Sequence, residues 1–283
     1  MLKRSSLFVL PLLMGILGGM PAQSQVLVPH VPQLEEERLR ELGLILAQEA
    51  AQLAQFQQFE LALIRAQLAS QLIQDDPQVW ALLGSLYLQL GDTEEAIAAL
   101  QQARAYDREN AGVLFALGTA YFRAEDYTRS IDFLQQGLQL QPEEPGALFD
   151  LGNAYFMLQQ YDEAIEAYEE AFDIDDEFWP AINNIGLVLY EQGDVEGALE
   201  SWQQAVDIDG TQPEPQLAIA VALNAQGQSE QAVALGTSAL ALDVRYADLE
   251  FLRLNLWGDR LLTEARAFFQ LPTVRDTLAQ LRQ

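Results

Sequence analysis

The sequence predicts an all-α chain, a solenoid of antiparallel helix pairs closed by C-terminal capping helices. Three observations carry that expectation. Glycine recurs at Gly84, Gly118, Gly152 and Gly186, each 34 residues after the last. Small residues follow in the same register: Ala96, Ser130, Ala164 and Ala198, then Ala103, Gly137, Ala171 and Ala205. Of the 283 residues, 50% are hydrophobic and 20% charged, a balance that builds a packed core rather than a disordered chain. A unit of two amphipathic helices needs small residues where its backbones cross, and one unit cannot bury its apolar face alone, so such units stack.

Taken from the N-terminus, residues 1–24 read as a targeting segment. Lys3 and Arg4 form a basic start, residues 7–20 an apolar run, and Ala22-Gln23-Ser24 a cleavage site with small residues. The expectation is therefore an exported protein, with this segment either cleaved or kept as an N-terminal anchor. Residues 25–42 hold a proline-containing connector and the start of a first helix. The repeat array runs over 43–246 as six units: a degenerate one at 43–76, four regular ones at 77–110, 111–144, 145–178 and 179–212, and a weaker one at 213–246. In each regular unit Leu83, Leu117, Leu151 or Ile185 fills space beside the glycine, and Gly91, Gly193 and Gly227 mark turns between helices. Residues 247–283 continue as helices. Gly258 is expected to stop one of them, Asp259 to cap the next, and Pro272 to begin the last. Trp257, Phe268 and Phe269 leave two readings for that end: a cap over the last repeat, or a docking element for a partner or membrane.

These residues carry a resemblance. Trp80, Leu83, Gly84, Tyr87, Ala96, Leu100 and Ala103, with Pro142 closing the following unit, are similar to the tetratricopeptide repeat (TPR) pattern of 34 residues. The resemblance implies a right-handed superhelix whose first helices line a concave groove, with unit positions 2, 5, 9, 12 and 13 facing inward. Carried over residue by residue, the groove comprises Phe115, Thr119, Phe122, Arg123, Phe149, Asn153, Phe156, Met157, Asn183 and Tyr190. Phe115 and Phe122 are seven residues apart, as are Phe149 and Phe156, so each pair shares a helix face. These rings read either as apolar anchors for an extended or helical peptide or as ordinary inner surface. The family's carboxylate clamp is absent, because Phe149 stands where its lysine belongs.

Charge narrows the partners. Fifteen basic against 42 acidic residues give a formal net charge of −27, and the 115 residues from 130 to 244 contain no Lys, Arg or His but 22 acids. Such a field repels phosphate backbones, which excludes nucleic acid, and it opposes adsorption to anionic lipid except through the N-terminus or the more basic C-terminal end. There is no cysteine and a single histidine, His30, so thiol nucleophiles, zinc fingers and Ser/His/Asp relays are missing. Asp173, Asp175, Asp176 and Glu177, with Asp207 and Asp209 one unit on, resemble an oxygen-donor cluster, but an EF-hand begun at Asp173 fails at Phe178 and Asn184. No catalytic residue, cofactor or specific metal site is expected.

The resulting expectation is a non-catalytic protein-binding scaffold that serves assembly or maintenance of an envelope or thylakoid membrane complex, located in the periplasm or thylakoid lumen. The alternative is a periplasmic TPR protein that handles Mn²⁺ or Ca²⁺ through its acidic repeats. The glutamine-rich composition, almost without lysine, resembles that of cyanobacterial TPR proteins.

Overall fold

The computed structural model describes residues 36–281; the targeting segment and most of the connector lie outside the described residues. Six helix pairs follow one another: α1 (Glu36–Gln55) with α2 (Phe59–Leu72), α3 (Pro77–Leu90) with α4 (Thr93–Tyr106), α5 (Ala111–Arg123) with α6 (Tyr127–Leu140), α7 (Pro145–Met157) with α8 (Tyr161–Ile174), α9 (Trp179–Gln192) with α10 (Val195–Ile208), and α11 (Pro213–Ala225) with α12 (Ser229–Leu242). A 3-10 turn at Val244–Ala247 leads into α13 (Leu249–Leu254), α14 (Asp259–Phe268) and α15 (Pro272–Leu281). There is no strand among the described residues.

The glycine series explains why the paired helices come so close. A Cβ built on Gly84 or Gly118 would stand 2.5 Å from the Cγ of Leu100 or Leu134, one on Gly152 would stand 2.5 Å from the Tyr168 ring, and one on Gly186 would stand 2.4 Å from Trp202 Nε1. Those four partners are fully buried. They occupy one register position, sixteen residues after the glycine, and the missing side chain is the space each one fills. Repeats are also joined side to side. Gln67, Gln101 and Gln135 donate to the hydroxyls of Tyr87, Tyr121 and Tyr155 of the following unit at 3.0, 2.7 and 2.8 Å, which explains the recurring tyrosine.

Turns are equally regular. The fifteenth residue of every unit is left-handed: Gln57 (φ 58°), Gly91 (85°), Glu125 (59°), Gln159 (59°), Gly193 (95°) and Gly227 (84°). The next amide then reaches back five residues to a helix carbonyl, as in Asp92 to Tyr87, Asp126 to Tyr121 and Asp194 to Leu189, each at 2.9 Å. The sequence marked only the three glycine turns; the other three adopt the same conformation without glycine. Helix starts are capped by Asp76, Asn110, Asp126 and Asp194.

Successive first helices touch one another, α1 with α3, α3 with α5 and α5 with α7. They form the tighter, inner side of the solenoid. At the far end α15 packs on α12, whereas α14 lies across α11 and α9. Trp257, Phe268 and Phe269 are all buried in these contacts, so none of the three is an exposed docking ring. The expected helix signals here need one correction. α13 stops at Leu254, Leu256 takes the left-handed turn (φ 64°), Gly258 is the residue preceding α14, and Asp259 is already helical.

Gly152→Ala should cost about 1–3 kcal/mol in urea unfolding through collision with Tyr168. Gly91→Ala should cost about 1 kcal/mol, because its surroundings are open and only the left-handed backbone is penalised.

Candidate functional site

The inner wall is built from the exposed faces of the first helices, and the expected groove residues divide along it. Phe122, Arg123 and Met157 face outward from α5 and α7. Phe122 is half-buried with its edge toward Tyr127 (centroids 5.3 Å apart), Arg123 is exposed and donates to the Leu88 carbonyl of α3, and Met157 is 39% exposed. Thr119 and Phe149 are half-buried between neighbouring helices. Phe115 turns toward α6, where Gly137 leaves room for its ring, and Phe149 packs against Tyr168 and Phe178 (5.7 and 5.5 Å). The sequence placed Phe115 and Phe122 on one face; Gly137 draws the first of them into the gap between paired helices. Phe156 is buried beside Tyr161 and Leu256.

Asn153, Asn183 and Tyr190 are buried as well, for a different reason. Asn153 Oδ1 accepts from Tyr168 Oη at 2.7 Å and from Asn184 Nδ2 at 2.9 Å, and Asn183 Nδ2 donates to Asn184 Oδ1 at 3.1 Å. With repeats numbered from the regular one at 77–110, this polar ladder runs along the wall from repeat three (145–178) to repeat four (179–212) and continues to Glu214 at the start of α11. Glu214 accepts from Trp257 Nε1 at 3.1 Å and from Tyr246 Oη at 3.4 Å, and it is also bonded to Asn183. Tyr190 lies beneath α14, a segment of the same chain, and Asn183 is buried beside Glu214, which Trp257 meets. A partner therefore meets α3, α5 and α7 directly, and meets α9 and α11 only where α14 leaves them open. Between the two regions a cavity of about 200 Å³ opens among Phe156, Met157, Tyr161, Glu191, Arg253 and Trp257.

Two carboxyls on this wall are perturbed. Burial raises Asp150 above the usual carboxylate range, offset in part by the Thr119 hydroxyl, which donates to it at 2.7 Å, and by the Arg123 charge. Burial likewise pushes Glu214 up to about 7, against the lowering effect of its three hydrogen-bond donors. The sequence pattern missed both, and it missed that Trp257 meets Glu214. The signal available for Glu214 was a lone acid at the second unit position, where other units carry Gln78, Gly112, Gly146 and Pro180.

Two of the acids that resembled a metal cluster, Asp175 and Asp209, close turns instead. Asp107, Asp175, Asp209 and Asp243 recur every 34 residues except at Gln141, and each accepts the amide two residues ahead, closing the link between units. Among the described residues no three His, Cys, Asp or Glu side chains converge as metal ligands. Nor is any helix among them long and apolar enough to cross a membrane.

Stacked helix pairs with this glycine crossing and this inner wall define a superhelical repeat protein. The chain belongs to the tetratricopeptide-repeat family: residues 23–177 match the family model described as the cytochrome c-type biogenesis protein H TPR domain, and residues 186–227 match a TPR repeat model. Among solved structures it is similar to MamA, at 24% identity and a TM-score of 0.55 over 60% of this chain and 93% of the other. MamA from Desulfovibrio magneticus RS-1 gives 19% and 0.57 over 61% and 97%. YrrB, described as a TPR protein with an unusual peptide-binding site, gives 23% and 0.53 over 64% and 90%. These likenesses are of fold. No curated protein matches the sequence.

The Glu214 carboxyl makes stability depend on pH. Its value is raised from 4.5 to about 7, so its favourable contribution is complete below pH 4.5 and is lost as pH rises to 7. The expected loss is about 3 kcal/mol. Urea midpoints measured from pH 4.5 to 8 should fall for the native chain relative to Glu214→Gln, which keeps the acceptor oxygen and has no charge to bury.

Proposed function

We propose that the chain is a non-catalytic scaffold that holds a peptide or helix of a partner protein against the inner wall of its second and third repeats. The observation that carries this is the placement of Phe122, Arg123 and Met157. Arg123 and Met157 stand exposed and Phe122 half-buried on adjacent inner helices, while buried Phe156 and the Thr119–Asp150 hydrogen bond back the wall around them. A preformed wall with a few exposed anchors binds without paying for its own ordering. Thr119 and Asp150 lie beside those anchors and can meet backbone groups of a bound segment. Phe115, Phe149, Phe156 and Asn153 act from beneath, fixing the shape of the surface, and Asn183 and Tyr190 mark its boundary.

The biological setting we infer is assembly or maintenance of a membrane complex by an exported protein, either free in the periplasm or thylakoid lumen or tethered by its N-terminus. The apolar, basic-flanked residues 1–24 support export. The matched family model, a TPR domain of a cytochrome c-type biogenesis protein, supports an assembly role. The acidic field over repeats three to five supports a protein partner over nucleic acid.

Affinity capture from cells of the source organism tests the reading. The double variant Phe122→Ala/Met157→Ala removes the half-buried and the exposed apolar anchor, neither of them part of the buried core, so its helicity should match the native chain while partner recovery falls about tenfold or more. Undiminished recovery by the folded variant removes this surface from the partner site.

A further inference from the structure

The pair α1–α2 differs from the later pairs on the side that faces away from the array. Its helices pack on each other and on α3, and no helix pair precedes them among the described residues. In later pairs that side of the first helix is covered. Val79, Val113, Ala147 and Ala181 share one register position and are 0–4% exposed, and Val79 clusters with Ala69 and Ile73 of the preceding unit. Ile45 holds the same position in α1 and is 47% exposed. On α2, Leu61, Ile64 and Leu68 are spaced i, i+3 and i+7, so they share a face, and they are 54%, 49% and 41% exposed. At those three positions the other five pairs carry no large apolar residue; in α8 they are Glu163, Glu166 and Glu170. A helix face that is left to water in five pairs is apolar in this one.

An ion pair ties the two helices together across this side, with Arg65 Nε 3.1 Å from Glu49 Oε2. Ile45 lies one helical turn before Glu49, and Leu42, 48% exposed, lies two turns before it. Leu61 and Leu68 lie one turn to either side of Arg65, so in this antiparallel pair apolar side chains flank the ion pair on one surface. Together the five leave roughly 400 Å² of apolar surface to water, the size of the largest patch on ordinary monomers, which is often functional. With a polar rim such a patch reaches the scale of a standard interface, about 800 Å² on each partner. Charge selects the occupant. A surface with one acid and one base at its centre complements a copy of itself, because a two-fold axis sets Glu49 of each chain against Arg65 of the other. The stretch from 130 to 244, rich in acids and without a base, belongs to later repeats. Two chains of net charge −27 that meet at their first pairs hold those fields at opposite ends, farther apart than the Debye length of about 10 Å. α1 opens with Glu36 and Glu37, which opposes an anionic lipid surface as the occupant.

We propose that the chain forms a two-fold dimer through α1 and α2, whose hairpins pack face to face as four helices. Leu42, Ile45, Leu61, Ile64 and Leu68 of each chain are buried in the contact around two reciprocal Glu49–Arg65 pairs. The second copy supplies to the first pair the cover that each later pair receives from its predecessor. The inner walls of both chains stay clear of this contact, so the dimer carries two of them on one particle. The proposal concerns a different surface from the one on repeats two and three and does not depend on it.

Sedimentation equilibrium of the full-length protein over a range of concentrations tests the dimer. The native chain should show the mass of two chains, and Leu61→Glu/Leu68→Glu should show the mass of one with unchanged helicity. Charge reversal gives a sharper reading. Glu49→Arg leaves a face with two cations and Arg65→Glu a face with two acids, and either should weaken association about tenfold or more. The pair is exposed within the monomer and contributes little to its fold. An equimolar mixture of the two variants should restore the two-chain mass, because their altered faces are complementary. A single-chain mass for the native protein overturns the proposal. So does a two-chain mass that survives Leu61→Glu/Leu68→Glu, or a mixture of the charge variants that stays apart. A native monomer that floats with neutral phosphatidylcholine vesicles, where the double variant sinks, assigns the face to lipid instead. Phe122→Ala/Met157→Ala should remain a dimer, so failure of this contact and failure of the peptide site are read separately.

Discussion

The architecture depends on one close approach, repeated down the chain: a helix backbone without a side chain meets a large side chain on its antiparallel partner. Gly84 with Leu100, Gly118 with Leu134, Gly152 with Tyr168 and Gly186 with Trp202 are four versions of a single contact. Its tolerance runs one way. The large side chain varies from leucine to tryptophan, while the glycine cannot gain a Cβ without colliding with the large side chain opposite it. The distance set there governs the tilt of each pair and so where the first helices stand relative to one another, which is what makes an inner wall.

The fifth repeat breaks this arrangement and shows what it is worth. With Ala220 and Gly236 at the crossing, the repeat lacks its own filling residue, and the ring that completes it comes from Phe268, more than thirty residues later. A similar exchange occurs at the start of α14, whose amides are satisfied by Glu191 of α9. Each segment supplies what the other lacks. The C-terminal helices are thus bound into the array by specific deficits, and α14 covers the inner wall at α9 and α11.

Electrostatics divides the same surface. Four of the 42 acids, Asp107, Asp175, Asp209 and Asp243, satisfy turn amides at unit boundaries. Only Asp150 and Glu214 are drawn into the wall, and burial raises both. A buried carboxyl is costly, so its presence marks where packing has been compromised for contact with something polar. Beneath Trp257 that something is a segment of the chain itself; beside Arg123 it is open to a partner.

Much of this was legible in the residues. The 34-residue period, the small residues at the crossing and the turn glycines determined the number and pairing of helices, because each depends on local geometry repeated in register. The three unmarked turns at Gln57, Glu125 and Gln159 escaped notice, since a left-handed residue without glycine leaves no compositional trace. Family positions put Asn183 and Tyr190 in an open groove, and nothing local to either residue says that α14 returns to Tyr190 or that Glu214 and Trp202 bury Asn183. Trp257 and Phe268 were visible as large rings whose destination was undetermined. Periodicity reports what a residue does within its own repeat. Whether a wall is open or occupied depends on contacts between residues tens of positions apart, such as Trp257 with Glu214 or Arg260 with Tyr190, and only the folded chain decides those, by bringing each unsatisfied group to the one place where it is met.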